Sequence, residues 1–377
     1  MHIVIVTGPF LPVPPAPCGA VERMWQELAE EFSAQHHQTV LLCRAHPDQA
    51  SNELVKGVRY VRRTHWRRTA NVYGSLWKDL LYSIRMLTLI PSGDIIVTNT
   101  FWLPILLPVF RSGAGKVVVN VNRMPKGQIK WYRLTARITA VSRAVFDAIE
   151  TQCKAAVPMT RIIPNTIDTT VFVPPAQPRN YQGVLTVLYA GRIHPEKGLH
   201  LLIAAFRIIA RADSRLRLRI IGPVDIAYGG GGEDYFQKLN SLAGGSPVEF
   251  CPPQFDKHAL VRVYQDAHYF CYPSLAESGE SFGLAPLEAM STGLVPIVSN
   301  LACFHDFVEN GVTGIIFDHR ASDPTSKLAE ALAALIQEPE LTKKIGERAV
   351  QCAKAFGKER IAAEHLRDFE NLLAETH

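Results

Sequence analysis

A chain of 377 residues is longer than a single hydrophobic core usually organises, so its length predicts two domains with a cleft between them. The hydrophobic content of 47% and the charged content of 20% exclude a disordered or fibrous protein. Residues 1–172 contain 20 Lys and Arg against 11 Asp and Glu, whereas the remaining residues contain 20 against 24. The first half therefore either faces an anionic partner or is simply more soluble with this charge.

No apolar run reaches the roughly 18 residues that a membrane-spanning helix needs, and the longest, over 101–110, contains two prolines. The opening HIVIVT has no basic leader and predicts a first strand, not a signal peptide. We therefore expect a cytoplasmic protein, with peripheral contact at the inner face of the membrane as an option. Seven scattered cysteines without a Cys-x-x-Cys pair argue against a disulfide framework and a structural zinc site.

Short apolar runs alternate with helical stretches along the whole chain. In chain order they are HIVIVT (2–7), an amphipathic stretch (21–32), TVLLC (39–43), DIIVT (94–98), KVVVNV (116–121), LTVLYAG (185–191), a helix (198–212), LRLRIIG (216–222) and a last helix (361–375). This alternation is typical of βαβ units in a doubly wound parallel sheet. The pattern predicts one such sheet in each half of the chain. The proline-rich segment VPPAQPRN predicts a linker, which we place at 173–182.

The most informative segment, PSLAESGESFGLAPLEAMSTG (273–293), follows an apolar strand and leads into a short helix. Its predicted helix N-terminus offers free backbone N–H groups, those of Phe282, Gly283 and Leu284. Such groups bind an anionic diphosphate and the sugar hydroxyls beside it. Of the two flanking carboxylates, Glu280 suits hexose hydroxyls and Glu288 suits ribose hydroxyls. The alternative is two solvated glutamates near a helix start, where negative charge is favoured in any case.

A second segment, VLYAGRIHPEKGLHLLIAAF (187–206), places two cations after a buried strand. The strand ends at Gly191, a tight loop carries Arg192 and Lys197, and a helix opens at Gly198. Ligands bind at this edge of open α/β sheets, where two cations would stabilise the negative charge of a departing diphosphate. The alternative is that this Arg and Lys are solvated residues of an exposed loop. The carboxylates predicted in the same half of the chain make this alternative weaker.

Three motifs in this order and spacing resemble family 4 of the retaining glycosyltransferases: IIPNTIDTTVF (162–172), YAGRIHPEKG (189–198) and ESFGLAPLEAM (280–290). The resemblance spans nearly the whole chain. It implies an α/β protein of the GT-B fold, with two facing Rossmann-like domains, each a doubly wound parallel sheet, and an interdomain cleft. The implied domains bind the acceptor (1–172) and the nucleotide sugar (183–358), and a C-terminal helix (359–377) packs back on the first domain.

The resemblance also implies roles for single residues. Arg192 and Lys197 would contact the diphosphate, Glu280 the sugar hydroxyls and Glu288 the ribose. The amides of 282–284 would hold the sugar and the phosphate. Gly191, where the strand ends, is a further expected donor-binding residue. No metal and no cofactor are implied, because the two cations replace a magnesium ion and the nucleotide sugar, a UDP-sugar in preference to a GDP-sugar, is a substrate. Front-face attack would retain the anomeric configuration, and the leaving phosphate would take the acceptor's proton.

Two positions depart from the family's pattern. The family usually has a pair of glycines before its first helix, whereas this chain has Gly19 followed by Ala20, so Gly19 alone would let the backbone approach the donor phosphate. Members often have a histidine after the strand matching KVVVN. Here Asn122 and Arg123 follow that strand, and either residue would have to supply the hydrogen bond or the positive charge.

The segment 59–68 concentrates arginine beside aromatic residues, and its five arginines are Arg59, Arg62, Arg63, Arg67 and Arg68. Such a pattern binds nucleic acid or an anionic membrane surface. We expect an acceptor or membrane surface at the last four, and no nucleic acid, since no nucleic-acid-binding motif accompanies them. The amphipathic stretch 76–85 predicts either a helix packed on the sheet or a peripheral docking element near a lipid-linked acceptor.

The sequence therefore predicts a retaining enzyme that moves a hexose from a UDP- or GDP-sugar to a hydroxyl of a glycan or lipid-linked acceptor. Two alternatives stay open. A nucleotide-sugar 2-epimerase shares the fold but needs acid and base groups at the sugar's C2. A degenerate protein would bind the nucleotide sugar without turning it over.

Overall fold

The computed structural model describes residues 1–14, 19–63 and 71–375 of the chain. They form two units: the N-terminal unit contains Met1–Thr166 together with the segment from Lys358 onward, and the C-terminal unit contains Ile167–Gly357. The strands are β1 (His2–Val6), β2 (Gln38–Arg44), β3 (Asn52–Val55), β4 (Val58–Arg63), β5 (Ile95–Thr98), β6 (Lys116–Val121), β7 (Arg137–Ala140), β8 (Thr160–Ile162), β9 (Leu185–Ala190), β10 (Leu216–Ile221), β11 (Val248–Cys251), β12 (Tyr269–Tyr272), β13 (Pro296–Ser299) and β14 (Ile315–Phe317).

Helices alternate with these strands along the chain. They are α1 (Ala20–Ala34), α2 (Val72–Leu89), α3 (Leu103–Phe110), α4 (Arg143–Gln152), α5 (Leu199–Ala210), α6 (Glu233–Ala243), α7 (Lys257–Gln265), α8 (Leu284–Ser291), α9 (Pro324–Gln337), α10 (Pro339–Ala353) and α11 (Lys358–Ala374). None of the helices in the described part of the chain is both long and apolar enough to cross a membrane.

Each unit is built on one sheet. In the N-terminal unit the strand order is β3-β4-β2-β1-β5-β6-β7-β8, and every neighbouring pair is parallel except the hairpin of β3 with β4. In the C-terminal unit the order is β11-β10-β9-β12-β13-β14, with all pairs parallel. The central strands are buried almost throughout, as expected for parallel sheets covered on both faces. The prediction of two doubly wound parallel sheets is confirmed.

The strand order reverses at one point in each sheet. In the C-terminal unit the chain runs from β9 outward to β10 and β11, and then returns to place β12 on the other side of β9. In the N-terminal unit it runs from β1 to β2 and β4, and then returns to place β5 beside β1. At such a reversal the two following loops diverge and leave a crevice at the carboxyl ends of the strands. These two crevices are the places where the fold provides room for a ligand.

The border between the units lies after Thr166, before the position expected from the proline-rich segment. The chain joins the C-terminal unit at Ile167, whose N–H donates to the carbonyl of Phe356 at 2.9 Å. The expected linker at 173–182 also belongs to the C-terminal unit. It is tied there by Arg179, whose guanidinium donates to the carbonyls of Tyr264, Ala267, Thr292 and Gly293. Proline content alone does not reveal such an anchor.

Helix α11 packs against α1 of the N-terminal unit. His365 lies in this contact, with its ring centroid 5.3 Å from that of Trp25. Complete burial lowers the pKa of His365 from 6.5 to about 3, because the imidazolium form would lose its hydration. The ring is therefore neutral in the folded protein at physiological pH.

Lowering the pH from 7 to 5 is expected to destabilise the N-terminal unit through His365. The pKa of His365 is lower in the folded protein than in the unfolded chain. Its contribution to the free energy of unfolding is therefore complete above pH 6.5, and it falls at lower pH because the unfolded chain takes up the proton. At pH 5 the loss is about 2 kcal/mol, from 1.36 kcal/mol per pH unit. Melting temperatures at both pH values for the wild type and His365→Phe measure it. Equal losses in the two proteins would exclude His365 as the cause.

Candidate functional site

A buried ion pair lies at the reversal point of the C-terminal sheet. Lys197 belongs to the loop that follows β9, and Glu280 to the loop that follows the adjacent strand β12. The Lys197 ammonium donates to Oε2 of Glu280 at 2.6 Å, with side chains only 5% and 10% exposed. The ammonium also lies 5.3 Å from the ring centroid of Tyr272, the last residue of β12. The structure thus brings together two of the residues that the sequence predicts for the site.

The two loops approach each other closely because of Gly198. This residue adopts a φ of 68°, and a Cβ at this position would lie 2.0 Å from the carbonyl oxygen of Pro273. Only glycine fits this conformation and this distance without displacing the backbone. Next to it, the N–H of Leu275 donates to the carbonyl of Glu196 at 2.7 Å. The loop after β12 is therefore fastened along the loop after β9, which places Glu280 against Lys197.

Arg192 occupies the other side of the same edge, directly after Gly191. Its side chain is 45% exposed, and its guanidinium donates to the carbonyl of Gly229 at 3.1 Å and to Glu196 at 2.8 Å. The glycine tract 229–232 is itself bonded back to this region, since the N–H of Gly231 donates to the carbonyl of Ile193 at 2.8 Å. The Arg192 guanidinium is thus fixed by hydrogen bonds but accessible to solvent, in contrast to the buried ammonium of Lys197.

The predicted anion-binding turn precedes α8. Gly283 has a φ of 92°, and a Cβ there would lie 2.5 Å from the ring of Phe304, so a larger residue would displace that ring. The side chain of Phe282 is buried and packs against Phe307, with ring centroids 5.4 Å apart. What Phe282 and Gly283 offer to a ligand is therefore their backbone. Leu284 is the first residue of α8, where backbone N–H groups have no partner within the helix.

Glu288 lies on α8, at its fifth residue, and is partly buried. One of its carboxylate oxygens accepts a hydrogen bond from the hydroxyl of Tyr264 on α7 at 2.9 Å. Burial raises the pKa of Tyr264 well above 10, which keeps this hydroxyl protonated and able to donate. The carboxylate is thus oriented by a neighbouring helix.

A second set of hydrogen bonds, which the sequence did not predict, holds the loop between β12 and α8. Glu277 accepts hydrogen bonds from Arg320 at 2.7 and 2.6 Å and from His319 at 2.9 Å, both residues of the segment after β14. The loop between β12 and α8 is therefore held from both sides. No local pattern signals this contact, because Arg320 lies 43 positions further along the chain.

In the N-terminal unit, Gly19 is the N-cap residue of α1 and adopts a φ of 147°. Asn122 follows β6, and its amide nitrogen donates to Oδ1 of Asn99 at 3.1 Å and to Oδ1 of Asn120. Arg123 is exposed, and its charge acts on Glu22 of α1. Burial raises the pKa of Glu22 while Arg123 opposes that rise, so this cation has an acidic neighbour.

The basic segment requires a correction. Arg62, expected at a surface, is only 2% exposed. Its guanidinium donates to Glu53 on the neighbouring strand β3 at 2.7 Å and to the carbonyls of Val13 and Ala50. It therefore holds the edge of the sheet and is removed from the expected acceptor or membrane surface. Arg63 is partly exposed and donates to the carbonyl of Ser51 at 2.7 Å.

Two further arginines expected at that surface, Arg67 and Arg68, lie outside the described residues. Across the ranges that the structure does describe, no group of three or more His, Cys, Asp and Glu side chains is arranged to hold a metal ion.

Two family models match the chain, one on each half. The model "Glycosyl transferases group 1" matches residues 175–351, and the model "Glycosyltransferase Family 4" matches residues 21–171. The first match contains the ion pair Lys197–Glu280 and the α8 turn, and the second contains the loops after β5 and β6.

Curated relatives include the D-inositol 3-phosphate glycosyltransferases of Arthrobacter sp. (strain FB24) and Paenarthrobacter aurescens (strain TC1). The first is 30% identical over 212 residues, which cover 54% of this chain and 48% of the relative. The second is 28% identical over 263 residues, which cover 67% of this chain and 62% of the relative. The matched region thus spans about half to three fifths of these proteins' length.

Solved structures match over nearly the full length. Sucrose-phosphate synthase from Thermosynechococcus elongatus has a TM-score of 0.81 at 18% identity, with 100% of both chains covered. Alr3699/HepE of Anabaena, in complex with UDP and glucose, has a TM-score of 0.72 at 16% identity and covers 98% of this chain and 100% of its own. At such identities the similarity shows the fold.

Proposed function

The chain belongs to family 4 of the glycosyltransferases and has the GT-B fold, and from that premise we propose that it is a retaining hexosyltransferase. It would move the hexose of a nucleoside diphosphate sugar, UDP in preference to GDP, to a hydroxyl of a glycan or lipid-linked acceptor. The observation that carries this proposal is the buried pair of Lys197 with Glu280 at the reversal point of the C-terminal sheet.

The pair suits a sugar bound next to a diphosphate. Oε2 of Glu280 receives the Lys197 ammonium, so Oε1 is the oxygen that can accept from a sugar hydroxyl. Lys197 and Arg192 supply positive charge on the two sides of the same loop, where charge builds up on a leaving diphosphate. Because Lys197 is nearly fully buried, its charge acts in a region of low dielectric and is more effective than an exposed charge.

In the proposed reaction the bond between the sugar's C1 and the phosphate oxygen breaks, and a bond between C1 and the acceptor oxygen forms on the same face. The acceptor's proton passes to the departing phosphate oxygen. The two cations stabilise that oxygen, so the proposal requires neither a metal ion nor a base from the protein.

The acceptor is proposed from the charge of the first half and from the relatives. Residues 1–172 carry nine more Lys and Arg than Asp and Glu, 20 against 11, which favours an anionic acceptor. The curated relatives are named for inositol 3-phosphate, a hydroxyl-rich anion. This compound is therefore the first soluble acceptor to try beside glycan and lipid-linked acceptors.

Thermal-shift measurements against UDP, GDP, ADP and their sugars test the donor site. A nucleotide at 100 times its Kd stabilises the folded protein by about 2.7 kcal/mol, so the donor that binds should raise the melting temperature most. We expect UDP and a UDP-sugar to do so. Absence of a shift with all of them would exclude a nucleotide-sugar site. Formation of an epimerised free UDP-sugar without acceptor would favour the epimerase alternative. Binding of the nucleotide sugar without transfer or slow hydrolysis would favour the degenerate protein that binds the nucleotide sugar without turning it over.

An exposed apolar face on α2 supports membrane contact by the N-terminal unit. Tyr73, Trp77 and Ile84 lie on one side of this helix, four and seven residues apart, and all three are exposed. At the end of α3, Val109 and Phe110 are exposed as well. Aromatic and aliphatic side chains of this kind insert at the boundary between lipid headgroups and acyl chains. We propose that this face rests on the membrane that carries a lipid-linked acceptor.

Replacing Ile84 by Glu is expected to weaken binding to vesicles of anionic phosphatidylglycerol by about tenfold or more, because a charge would enter the apolar layer. Co-sedimentation with such vesicles measures the effect. Ile208 on α5 of the C-terminal unit is a matched control, since it is 47% exposed against 50% for Ile84. Ile208→Glu should bind like the wild type. Equal binding by all three proteins would contradict the proposed membrane face.

A further inference from the structure

Two stacked tyrosines, Tyr189 and Tyr272, contact both ends of the loop that carries the cations Arg192 and Lys197. We infer that they are positioning residues, which hold the Arg192 main chain and the Lys197 ammonium at the spacing that a diphosphate requires. The inference rests on the proposed function, since it assigns two further residues to the donor site of that reaction.

Tyr189 holds the beginning of this loop. It is the fifth residue of β9 and fully buried, and its hydroxyl donates to the carbonyl of Arg192 at 2.8 Å. Burial raises the pKa of Tyr189 well above 10, which keeps the hydroxyl protonated and able to donate. A Cβ at Gly191 would lie 2.9 Å from the hydroxyl oxygen and 3.2 Å from the ring of Tyr272, so a larger residue would press on both side chains. Glycine at this position therefore lets the tyrosine reach the main chain of Arg192.

Tyr272 connects Tyr189 with the end of the loop. It is the last residue of β12, which pairs with β9, and its ring is nearly parallel to that of Tyr189, with an angle of 8° and centroids 5.5 Å apart. The Lys197 ammonium lies over the Tyr272 ring, 5.3 Å from its centroid. An aromatic face attracts a cation within about 6 Å, and more strongly where water is excluded, as it is around the 5% exposed Lys197 side chain. Tyr272 is therefore in contact with Tyr189 and with the second cation.

Filling of the core does not by itself require these contacts. Phenylalanine has the same ring as Tyr189 and would fill the same space without a hydroxyl, yet here the hydroxyl is bonded to the loop. An aliphatic side chain could also be buried in place of Tyr272, but it has no ring face to attract an ammonium. Arg192 and Lys197 are five positions apart in one loop, so their separation depends on what supports each end. The stacked rings supply one support for both.

Three substitutions test the inference. Tyr189→Phe keeps the ring and removes the hydroxyl, Tyr272→Leu removes the ring face, and Tyr272→Phe keeps it. Tyr269→Phe is the control, because it removes the hydroxyl of another fully buried tyrosine of the same sheet. For each protein we would measure kcat for turnover of UDP-glucose with inositol 3-phosphate as acceptor, the Kd of UDP and the melting temperature. If GDP gives the larger melting shift, a GDP-hexose and GDP replace the uridine compounds.

Tyr189→Phe should lower kcat and weaken UDP binding by about three- to tenfold each, the range expected for the loss of one hydrogen bond that holds a cation in place. Tyr272→Leu should lower kcat about tenfold, whereas Tyr272→Phe and the control should stay within about twofold of the wild type. In an Arg192→Ala background, Tyr189→Phe should lower kcat no further, because it acts through that guanidinium. Its effect on the melting temperature should persist there, since core packing does not depend on the guanidinium.

An unchanged kcat in Tyr189→Phe or in Tyr272→Leu would overturn the inference. So would a loss of kcat by Tyr189→Phe that is equally large with and without the Arg192 side chain, or a loss by Tyr272→Phe as large as that by Tyr272→Leu. The proposed function fails separately, if the wild type binds the nucleotide sugar but neither transfers nor hydrolyses it. In that case the Kd of UDP, measured in the same variants with and without Arg192→Ala, still decides whether the tyrosines act through the cations.

Discussion

Replacing Lys197 by Met is expected to lower the turnover of the nucleotide sugar by about 100-fold or more. The ammonium is one of two cations placed to stabilise the leaving diphosphate, and removal of one such group costs on the order of 10²-fold in kcat. The substitution also leaves Glu280 without its counter-charge in a site where it is 10% exposed. Breaking a buried ion pair in this way destabilises a protein by about 3–5 kcal/mol. Steady-state kinetics and melting temperature together measure both effects.

The double variant Lys197→Met with Glu280→Gln separates stability from chemistry. It removes the uncompensated charge, so the melting temperature should recover in part while the turnover does not. Arg192→Ala gives a second comparison, since it should lose turnover to a similar extent with a smaller change in melting temperature, because Arg192 is 45% exposed. Near-normal turnover of Lys197→Met would show that this cation does not serve the leaving group.

The parts of the structure that the sequence predicts are those with a local signal. Buried strands such as β1 and β9 appear as unbroken apolar runs, and the glycine after β9 marks the turn into the loop that carries Lys197. Because both loops follow strands of one parallel sheet, the meeting of Lys197 with Glu280 at its carboxyl edge follows from the pattern once the strands are adjacent. Adjacency itself is set by tertiary packing.

Where the sequence reasoning failed, the deciding partner is remote in the chain. The sequence pattern predicts Arg62 at the surface, because it lies among other arginines. In the structure the hairpin of β3 with β4 brings Glu53 to it, and both the guanidinium and the aliphatic part of the Arg62 side chain are buried. Likewise, Trp25 and Asn120 are 95 positions apart, and only the order of β1, β5 and β6 brings α1 to the end of those strands. Strand order is not encoded in any single window, so these contacts require the structure.

Glu280→Gln is expected to lower sugar transfer at least about tenfold while it changes the Kd of the bare nucleoside diphosphate by no more than about twofold. The neutral amide weakens the charge-assisted hydrogen bonds that the carboxylate makes to Lys197 and, in the proposal, to a sugar hydroxyl. The bare nucleotide has no hexose and does not use the second oxygen. Transfer rates and calorimetric binding of UDP or GDP give the two numbers.

Glu277→Gln makes the same chemical change three residues earlier in the same loop. Glu277 pairs with Arg320 in an exposed ion pair, and exposed pairs contribute about 0–1 kcal/mol, so its transfer rate should fall less than that of Glu280→Gln. If Glu280→Gln instead weakened nucleotide binding and sugar transfer to the same extent, its carboxylate would serve the nucleotide, and the second oxygen of Glu280 would no longer identify the position of the hexose.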